Sequence, residues 1–159
     1  MHIAPHVEGC SSSEIRKALS EGDVQKAERI LGRPFSLTGI VVEGSRIGRT
    51  IGVPTANLEV DPKMLVPAGG VYAATAMLAD GSLKPAVVNI GVNPTVSDKR
   101  ERRIEAHLLD FSGDIYGMGL TLDLEGRMRD ERKFGSLDEL RRALHGDIAA
   151  RRLFSPVKL

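Results

Sequence analysis

The stretch GSRIGRTIGVPTANL, residues 44–58, connects two predicted β-strands and carries glycines at positions 44, 48 and 52. Closely spaced glycines allow the main chain to approach a ligand and to turn successive backbone N–H groups towards an anion. Arg46 and Arg49 add positive charge to the same loop. The spacing fits neither a P-loop nor a dinucleotide-binding fingerprint. Taken alone, the stretch therefore indicates a phosphate-binding loop and an ordinary flexible connection about equally.

The end of this stretch predicts a metal site. Beyond Pro54 the chain reads Thr-Ala-Asn-Leu-Glu-Val, and the alternation of a β-strand would place Thr55 and Asn57 on the same face. Hydroxyl and amide oxygens suit Mg²⁺, which keeps waters and substrate phosphates in its remaining positions. We therefore expect Thr55 and Asn57 to be magnesium ligands.

Short β-rich runs on both sides of the loop, separated by turn residues, predict a small closed or nearly closed β-barrel. Asp80-Gly81 between two runs is a strong hairpin signal, and Pro85 in the following run suggests an edge strand or a bulge. The predicted strands cover residues 37–43, 53–60, 71–79, 83–90, 104–111 and 120–128.

Helical patterns flank the predicted strands. Residues 11–32 are typical of two short helices, the second capped by Asp23 and ended by Gly32. A last helix follows the capping box of Ser136 and Glu139, with an apolar stripe of Leu137, Leu140, Ala143, Leu144, Ile148 and Leu153. We therefore divide the chain into a helical lead-in, residues 1–32, and a barrel domain, residues 33–159.

The composition bounds the function classes. The 159 residues carry a formal net charge of +1, 4% aromatic residues and one cysteine, Cys10. The near-zero charge and scarce aromatics argue against nucleic acid or a membrane as a partner. The single cysteine excludes an internal disulfide, and no apolar run approaches the ~18 residues of a spanning helix. We expect a cytoplasmic protein.

Two further segments carry chemistry. Glu105 and His107 alternate with apolar residues, so both should project from one strand face. Glu105 then suits a general base for a hydroxyl nucleophile, although a solvated strand face explains the pattern as well, and His107 is better explained as a packing residue. The basic run at residues 99–103 either closes over a nucleotide or forms a solvated charged loop.

Together these motifs resemble the riboflavin kinase family, in the form found in bacterial bifunctional riboflavin kinase and FAD synthetase. Order and spacing hold from about Arg33 to Arg152. The matching segments are Gly-x-x-x-Gly-x-x-x-Gly-x-Pro-Thr-Ala-Asn, Gly70-Val71-Tyr72-Ala73, Asn89-Ile90-Gly91, Asn93-Pro94-Thr95, Glu105-Ala106-His107 and Arg129-x-Glu131-x-x-Phe134.

The resemblance implies a mainly β fold, a six-stranded antiparallel Greek-key barrel with a C-terminal helix. It also implies an ATP- and Mg²⁺-dependent kinase that phosphorylates the 5'-hydroxyl of riboflavin to give FMN. Glu105 would accept the hydroxyl proton, Thr55 and Asn57 would bind Mg²⁺, and residues 93–103 would form a flap. The flavin would contact Arg129, Glu131 and Phe134, and the ATP phosphates would contact Gly44, Ser45, Gly48, Arg49, Thr50, Gly52, Pro54 and Asn89.

The lead-in is similar to the end of the adenylyltransferase half of the bifunctional enzyme, through SSSEIR at residues 11–16 and the junction Gly32-Arg33-Pro34. The His-x-Gly-His nucleotide motif of that half is absent from the sequence. We therefore predict no FAD synthesis by this chain, with an adenylyltransferase domain as a possible partner. The alternative is a flavin-binding or flavin-sensing module without catalysis.

Overall fold

The computed structural model describes residues 9–42, 55–94, 100–111, 113–131 and 134–154. Two helices come first, six strands follow, and one helix ends the described chain. In chain order these are α1 (Gly9–Ser20), α2 (Val24–Leu31), β1 (Phe35–Val42), β2 (Ala56–Val60), β3 (Gly70–Met77), β4 (Leu83–Pro94), β5 (Arg100–Leu108), β6 (Gly119–Arg129) and α3 (Leu137–Leu153).

The six strands form a closed barrel in the order β1-β2-β5-β4-β3-β6, and every neighbouring pair is antiparallel. The strands β3, β4 and β5 follow one another, and β6 returns to lie beside β3. This order is a Greek key. The predicted fold class is therefore confirmed.

Alternate residues of each strand fill the barrel with aliphatic side chains. Leu37, Leu122 and Leu124 have no exposed surface, and Tyr72 is fully buried with its hydroxyl donating to the Ala68 carbonyl at 2.5 Å. Gly39 allows β1 to approach β2, because a Cβ there would collide with the backbone carbonyl of Glu59. The barrel core also includes Val41, Ala56, Leu58, Ala74, Ala76, Ala86, Val88, Ile90, Ile104, Ala106, Leu108 and Leu120.

Two details of the strands differ from the sequence expectations. The β4–β5 ladder extends through Gly91↔Arg103 to Pro94↔Arg100, so part of the predicted flap and of the basic run is regular strand. Pro85 is neither at a barrel edge nor at a bulge, because it pairs with Thr75 without a register shift between β3 and β4. Its missing N–H is tolerated because the ladder to β5 begins one residue later, and its carbonyl accepts from the Leu109 N–H at 2.8 Å.

The lead-in helices pack on the barrel and share its core through Ile15, Ala18, Leu19, Val24 and Ala27. The predicted ends of α2 are confirmed, since the Asp23 carboxylate accepts from the Lys26 N–H and Gly32 adopts a left-handed conformation with φ of 80°. Residues on both sides of the predicted boundary, at residues 32 and 33, belong to one continuous core. The division of the chain into a lead-in and a barrel domain therefore stays a prediction.

The cap of α3 is also confirmed, because Ser136 accepts from the Glu139 N–H. Its apolar stripe is only partly right, since Leu137 and Leu153 are 53% and 85% exposed. The buried residues of α3 are instead Asp147 and Arg151. Among the described residues, no helix is long and apolar enough to cross a bilayer.

Candidate active site

A row of paired residues crosses the outer face of the barrel and contains several of the predicted site residues. Asn57 on β2 pairs with Glu105 on β5, and Glu105 pairs with Asn89 on β4. The row continues through Val71 on β3 to Arg129 on β6. Residues of antiparallel neighbours that lie directly opposite have Cβ atoms about 4.5–5.5 Å apart. The barrel therefore brings Asn57, Glu105 and Asn89 together, with Arg129 at the far end of the row.

The Glu105 carboxylate is held asymmetrically. Its Oε1 lies 2.9 Å from Arg103 Nε in an ion pair, and the Glu105 side chain is 22% exposed. Its Oε2 accepts a long hydrogen bond from Thr55 Oγ1, at 3.5 Å. One oxygen is thus committed to the guanidinium, while the other retains lone pairs that face the Thr55 hydroxyl.

Thr55, just before β2, and Asn57, in β2, are both half-buried, while Ala56 between them faces the core. The alternation predicted for these two oxygen donors is thus confirmed. No cluster of three or more His, Cys, Asp or Glu side chains occurs among the described residues. A divalent cation at this place would depend on Thr55, Asn57, waters and substrate phosphates, which is the ligand set typical of Mg²⁺.

Asn89 carries an incomplete hydrogen-bond set. Its Oδ1 is buried and has no hydrogen-bond partner among the described residues. Leaving a buried acceptor unsatisfied costs about 1–3 kcal/mol. Such an acceptor in the middle of the row is suited to a donor group on a ligand.

Arg103 links Glu105 to a second carboxylate. Arg103 Nη2 lies 3.7 Å from Glu131 Oε2, and the residue opposite Arg103 on β4 is Gly91. A Cβ at Gly91 would collide with the Glu131 carboxylate and lie 3.0 Å from Arg103 Nη2. Gly91 therefore provides the space in which Glu131 reaches the guanidinium beside Glu105.

Arg129 is bound to α3 rather than directed towards Glu105. Its Nε and Nη2 donate to the two carboxylate oxygens of Asp147, each at 2.8 Å. This pairing raises the pKa of Arg129 above its ordinary value. The guanidinium carbon lies 5.9 Å from the centre of the Phe134 ring, so Arg129 connects the end of β6 with Asp147 in the second half of α3 and with the aromatic ring that precedes the helix.

A cavity of about 380 Å³ lies beside Thr55. The barrel contributes apolar walls to it, and the turn after β5 supplies the opposite side with Asp114, Ile115 and Tyr116. Its other lining residues are Val41, Ala56, Ala106, Leu108, Phe111 and Gly113. The volume is within the usual ~300–1,000 Å³ of small-molecule sites, and Thr55 both lines the cavity and contacts Glu105 of the row.

Most of the predicted phosphate loop cannot be compared with the structure. Gly44, Ser45, Gly48, Arg49, Thr50, Gly52 and Pro54 lie outside the described residues, as do residues 95–99 of the predicted flap. The described chain leaves β1 at Val42 and resumes at Thr55, so the loop joins strands that both border the cavity.

Three features of the site were not predicted from the sequence. Arg103 was assigned to a charged loop, yet it is the ion-pair partner of Glu105. Asp147 was not assigned at all, although it lies three residues after Leu144 and seven after Leu140, a spacing that puts it on the same face of α3 as the apolar stripe. The segment with Ile115 and Tyr116, which forms a wall of the cavity, was predicted only as a turn. Two adjacent bulky side chains in a turn were the signal in the sequence that this segment lines a cavity.

The sequence is similar to that of a known protein family. A model of the family described as "Flavokinase: Riboflavin kinase" matches residues 31–154. Three similar relatives are bifunctional riboflavin kinase/FMN adenylyltransferases. That of Pseudomonas fluorescens is 43% identical over 89% of this chain, that of Bacillus subtilis (strain 168) 42% over 86%, and that of Escherichia coli (strain K12) 40% over 93%. The chain spans only 45%, 44% and 47% of these relatives.

Two solved structures resemble the fold. One, described as a macrolide-efflux protein from Streptococcus pneumoniae, has a TM-score of 0.86 and 38% identity, and the match covers 91% of this chain and 47% of that one. The other is a riboflavin kinase from Trypanosoma brucei, with a TM-score of 0.54, 23% identity and 75% of each chain covered. The second likeness shows the barrel fold alone.

Proposed function

The chain belongs to the riboflavin kinase family, and from that premise we propose that it transfers the γ-phosphoryl group of ATP to the 5'-hydroxyl of riboflavin. The products are FMN and ADP. The observation that carries the proposal is the position of Glu105, which lies in register between Asn57 and Asn89 and within 3.5 Å of Thr55. This places a carboxylate beside oxygen donors on rigid strands, the arrangement that phosphoryl transfer to a hydroxyl requires.

Glu105 acts as the general base in this proposal. Arg103 binds Oε1 at 2.9 Å and thereby orients the carboxylate, which leaves Oε2 to accept the ribityl hydroxyl proton as the oxygen attacks the γ-phosphorus. Positioning supplies much of the rate in reactions of this kind. A rigid strand and an ion pair supply that positioning here.

Thr55 and Asn57 hold the cation in this proposal. Thr55 Oγ1 lies 3.5 Å from the Glu105 carboxylate, and Asn57 pairs with Glu105 across the two strands. A phosphate group bound through these residues would therefore meet the hydroxyl that Glu105 deprotonates. Bound Mg²⁺ supplies charge neutralisation to the ATP phosphates. The loop of residues 44–54 would wrap the phosphates, as the sequence predicts, and the cavity beside Thr55 would take the nucleoside end of ATP.

Asn89 serves both substrates. Its amide nitrogen can donate to a phosphate oxygen, as expected from the sequence. Its unpartnered Oδ1 needs a donor, which phosphate oxygens lack and the ribityl hydroxyls of riboflavin provide. A bound riboflavin chain would therefore satisfy the buried acceptor while passing Glu105.

Glu131 and Phe134 form the border of the flavin site in this proposal. Glu131 reaches the neighbourhood of Glu105 through Arg103. Arg129 acts indirectly, because both oxygens of Asp147 engage its guanidinium while it lies near the Phe134 ring. We therefore assign Arg129 a positioning role for the aromatic edge rather than a direct contact.

The adenylyltransferase activity in the names of the relatives is not proposed for this chain, because the match covers under half of their length. A domain of that kind and a cytoplasmic location stay predictions. The alternative of a flavin-binding module gains no support from the site, since binding alone would not require Glu105 beside the Thr55 and Asn57 oxygens.

The test is an assay of the purified chain with riboflavin, ATP and Mg²⁺, followed by chromatography of the flavins with fluorescence detection. We expect FMN and ADP in equal amounts, no FAD, and no product when a chelator removes the metal. Riboflavin that binds to the folded chain without any FMN formation would overturn the proposed activity.

A further inference from the structure

A second cavity lies where the two lead-in helices meet the start of β1. Its volume is about 420 Å³, and it is lined by residues of α1, the end of α2 and the first half of β1. None of the residues that line the cavity beside Thr55 contributes to it. The lining residues are Ser12, Ile15, Arg16, Leu31, Arg33, Pro34, Phe35, Ser36, Thr38 and Leu65.

Two arginines border this second cavity without a charge partner among the described residues. Arg16 on α1 and Arg33 after α2 are both exposed, and neither forms an ion pair or a side-chain hydrogen bond with another described residue. By contrast, Arg103, Arg127, Arg129, Arg141, Arg151 and Arg152 all have acidic partners. An acid does lie nearby, but the Asp123 carboxylate accepts from the Ser36 hydroxyl at 2.5 Å. The two guanidiniums therefore border one cavity, and no described residue engages their donors.

The remaining walls combine apolar and hydroxyl groups. Leu65 is 46% exposed at the rim although it is a large aliphatic residue, and Leu31 and Phe35 are only partly covered by the core. Ser12 and Thr38 add hydroxyls. Paired guanidinium groups recognise phosphate, sulfonate and carboxylate, while the aliphatic and aromatic walls favour an apolar body.

We propose that this second cavity binds an organic anion, a small molecule with an aromatic or aliphatic body and one phosphate, sulfonate or carboxylate group. Arg16 and Arg33 bind the anionic group, and Leu31, Phe35 and Leu65 contact the body. The site is separate from the proposed kinase site and does not depend on that activity.

The test uses 8-anilinonaphthalene-1-sulfonate as the probe, titrated into the full chain with labelled Ile and Leu methyl groups and followed by NMR. We expect shifts centred on Ile15, Leu31 and Leu65. The double variant Arg16→Gln, Arg33→Gln should weaken binding by about tenfold or more, because charge-assisted bonds are lost. Arg29→Gln, which removes an exposed arginine of α2 that does not line the cavity, should bind as the wild type does.

Two comparisons complete the test. N-phenyl-1-naphthylamine, which has the same rings without the sulfonate, should bind more weakly than the probe and should not respond to the double variant. Riboflavin phosphorylation by the double variant should match that of the wild type, which separates this site from the kinase site. Shifts centred on Leu108 and Ile115, or equal probe affinity in the double variant and the wild type, would overturn the proposal.

Discussion

Arg103 Nε lies 2.9 Å from Glu105 Oε1 across two positions of the same strand. The two side chains project from one face because their spacing is two residues. The same guanidinium reaches Glu131 at 3.7 Å. Arg103 thus connects the proposed base with the proposed flavin border.

Replacing Arg103 should impair turnover more than folding. In Arg103→Gln the Glu105 carboxylate loses its orienting partner, so we expect kcat to fall by ~10- to 100-fold, the scale of a small misplacement of a reacting group. The free energy of unfolding should fall by less than about 1 kcal/mol, because the arginine is 44% exposed. Steady-state kinetics and urea unfolding measure the two effects. Arg141→Gln, which breaks an exposed pair on α3, is the control, and equal kcat values in the two variants would refute the positioning role.

The Thr55 and Asn57 oxygens should set the requirement for metal. Thr55→Ala and Asn57→Ala should each raise the Mg²⁺ concentration for half-maximal rate by about tenfold or more. Even the loss of a residue that only hydrogen-bonds to a metal ligand typically lowers metal affinity by about that factor. This Mg²⁺ concentration is measured by titrating Mg²⁺ at a constant, saturating concentration of ATP. Thr38→Ala, which removes a hydroxyl on β1 that contacts Thr121, should leave the requirement unchanged. An unaltered Mg²⁺ dependence in both test variants would exclude them as ligands.

The Arg129–Asp147 pair should contribute strongly to stability. Asp147 is 8% and Arg129 25% exposed at the side chain, so Asp147→Asn leaves a half-buried guanidinium without its counter-charge. We expect a loss of ~3 kcal/mol in the free energy of unfolding, measured as a lower urea midpoint at constant slope. Asp138→Asn breaks a pair that is 72% and 51% exposed and should cost under about 1 kcal/mol. Similar losses in the two variants would contradict the anchoring of α3 by Asp147.

The Asp110–Arg152 pair should shift the titration of Asp110 to lower pH. Hydrogen bonds from Arg152 lower the pKa of Asp110 below its ordinary value of 3.8. The pKa of Asp110 is lower in the folded chain than in the unfolded chain. The contribution of the pair to the free energy of unfolding is therefore complete at pH values above the unfolded-state pKa, and it is lost as the pH falls through the folded-state pKa. Carboxyl ¹³C NMR should show the Asp110 pKa rising towards 3.8 in Arg152→Gln. The same Asp110 pKa in both proteins would show that the pair does not form in solution.

The barrel was predictable because its signals are local. Alternation placed Glu105 and His107 on one face, and Asp80-Gly81 marked the hairpin between β3 and β4, where Gly81 has φ of 88°. The pairing of β2 with β5 and of β3 with β6 joins residues far apart in the chain, so no local pattern indicates it. It followed only from the resemblance to a family.

The ionic contacts of the site were less predictable for a related reason. Charged residues are usually exposed, so Arg103 and Asp147 were assigned to solvent or left unassigned. Asp147 lies 18 positions from its partner Arg129, and only the packing of α3 on the barrel brings those two groups together. Arg103 and Glu105 lie two positions apart, so their contact follows from strand alternation once residues 100–103 are known to be strand rather than loop. The role of a polar residue beside an apolar stripe can therefore be assigned only when the tertiary structure is known.

The most direct test of the central claim is the rate of FMN formation by Glu105→Gln, measured with the affinities of the variant for riboflavin and for nucleotide. The amide keeps the size of the side chain but cannot accept the hydroxyl proton, so we predict a fall in kcat of ~100-fold or more with affinities within a few-fold of the wild type. Glu59→Gln, an exposed carboxylate on β2, is the matched control and should retain full activity. A Glu105→Gln enzyme that forms FMN at nearly the wild-type rate would contradict the assignment of Glu105 as the base.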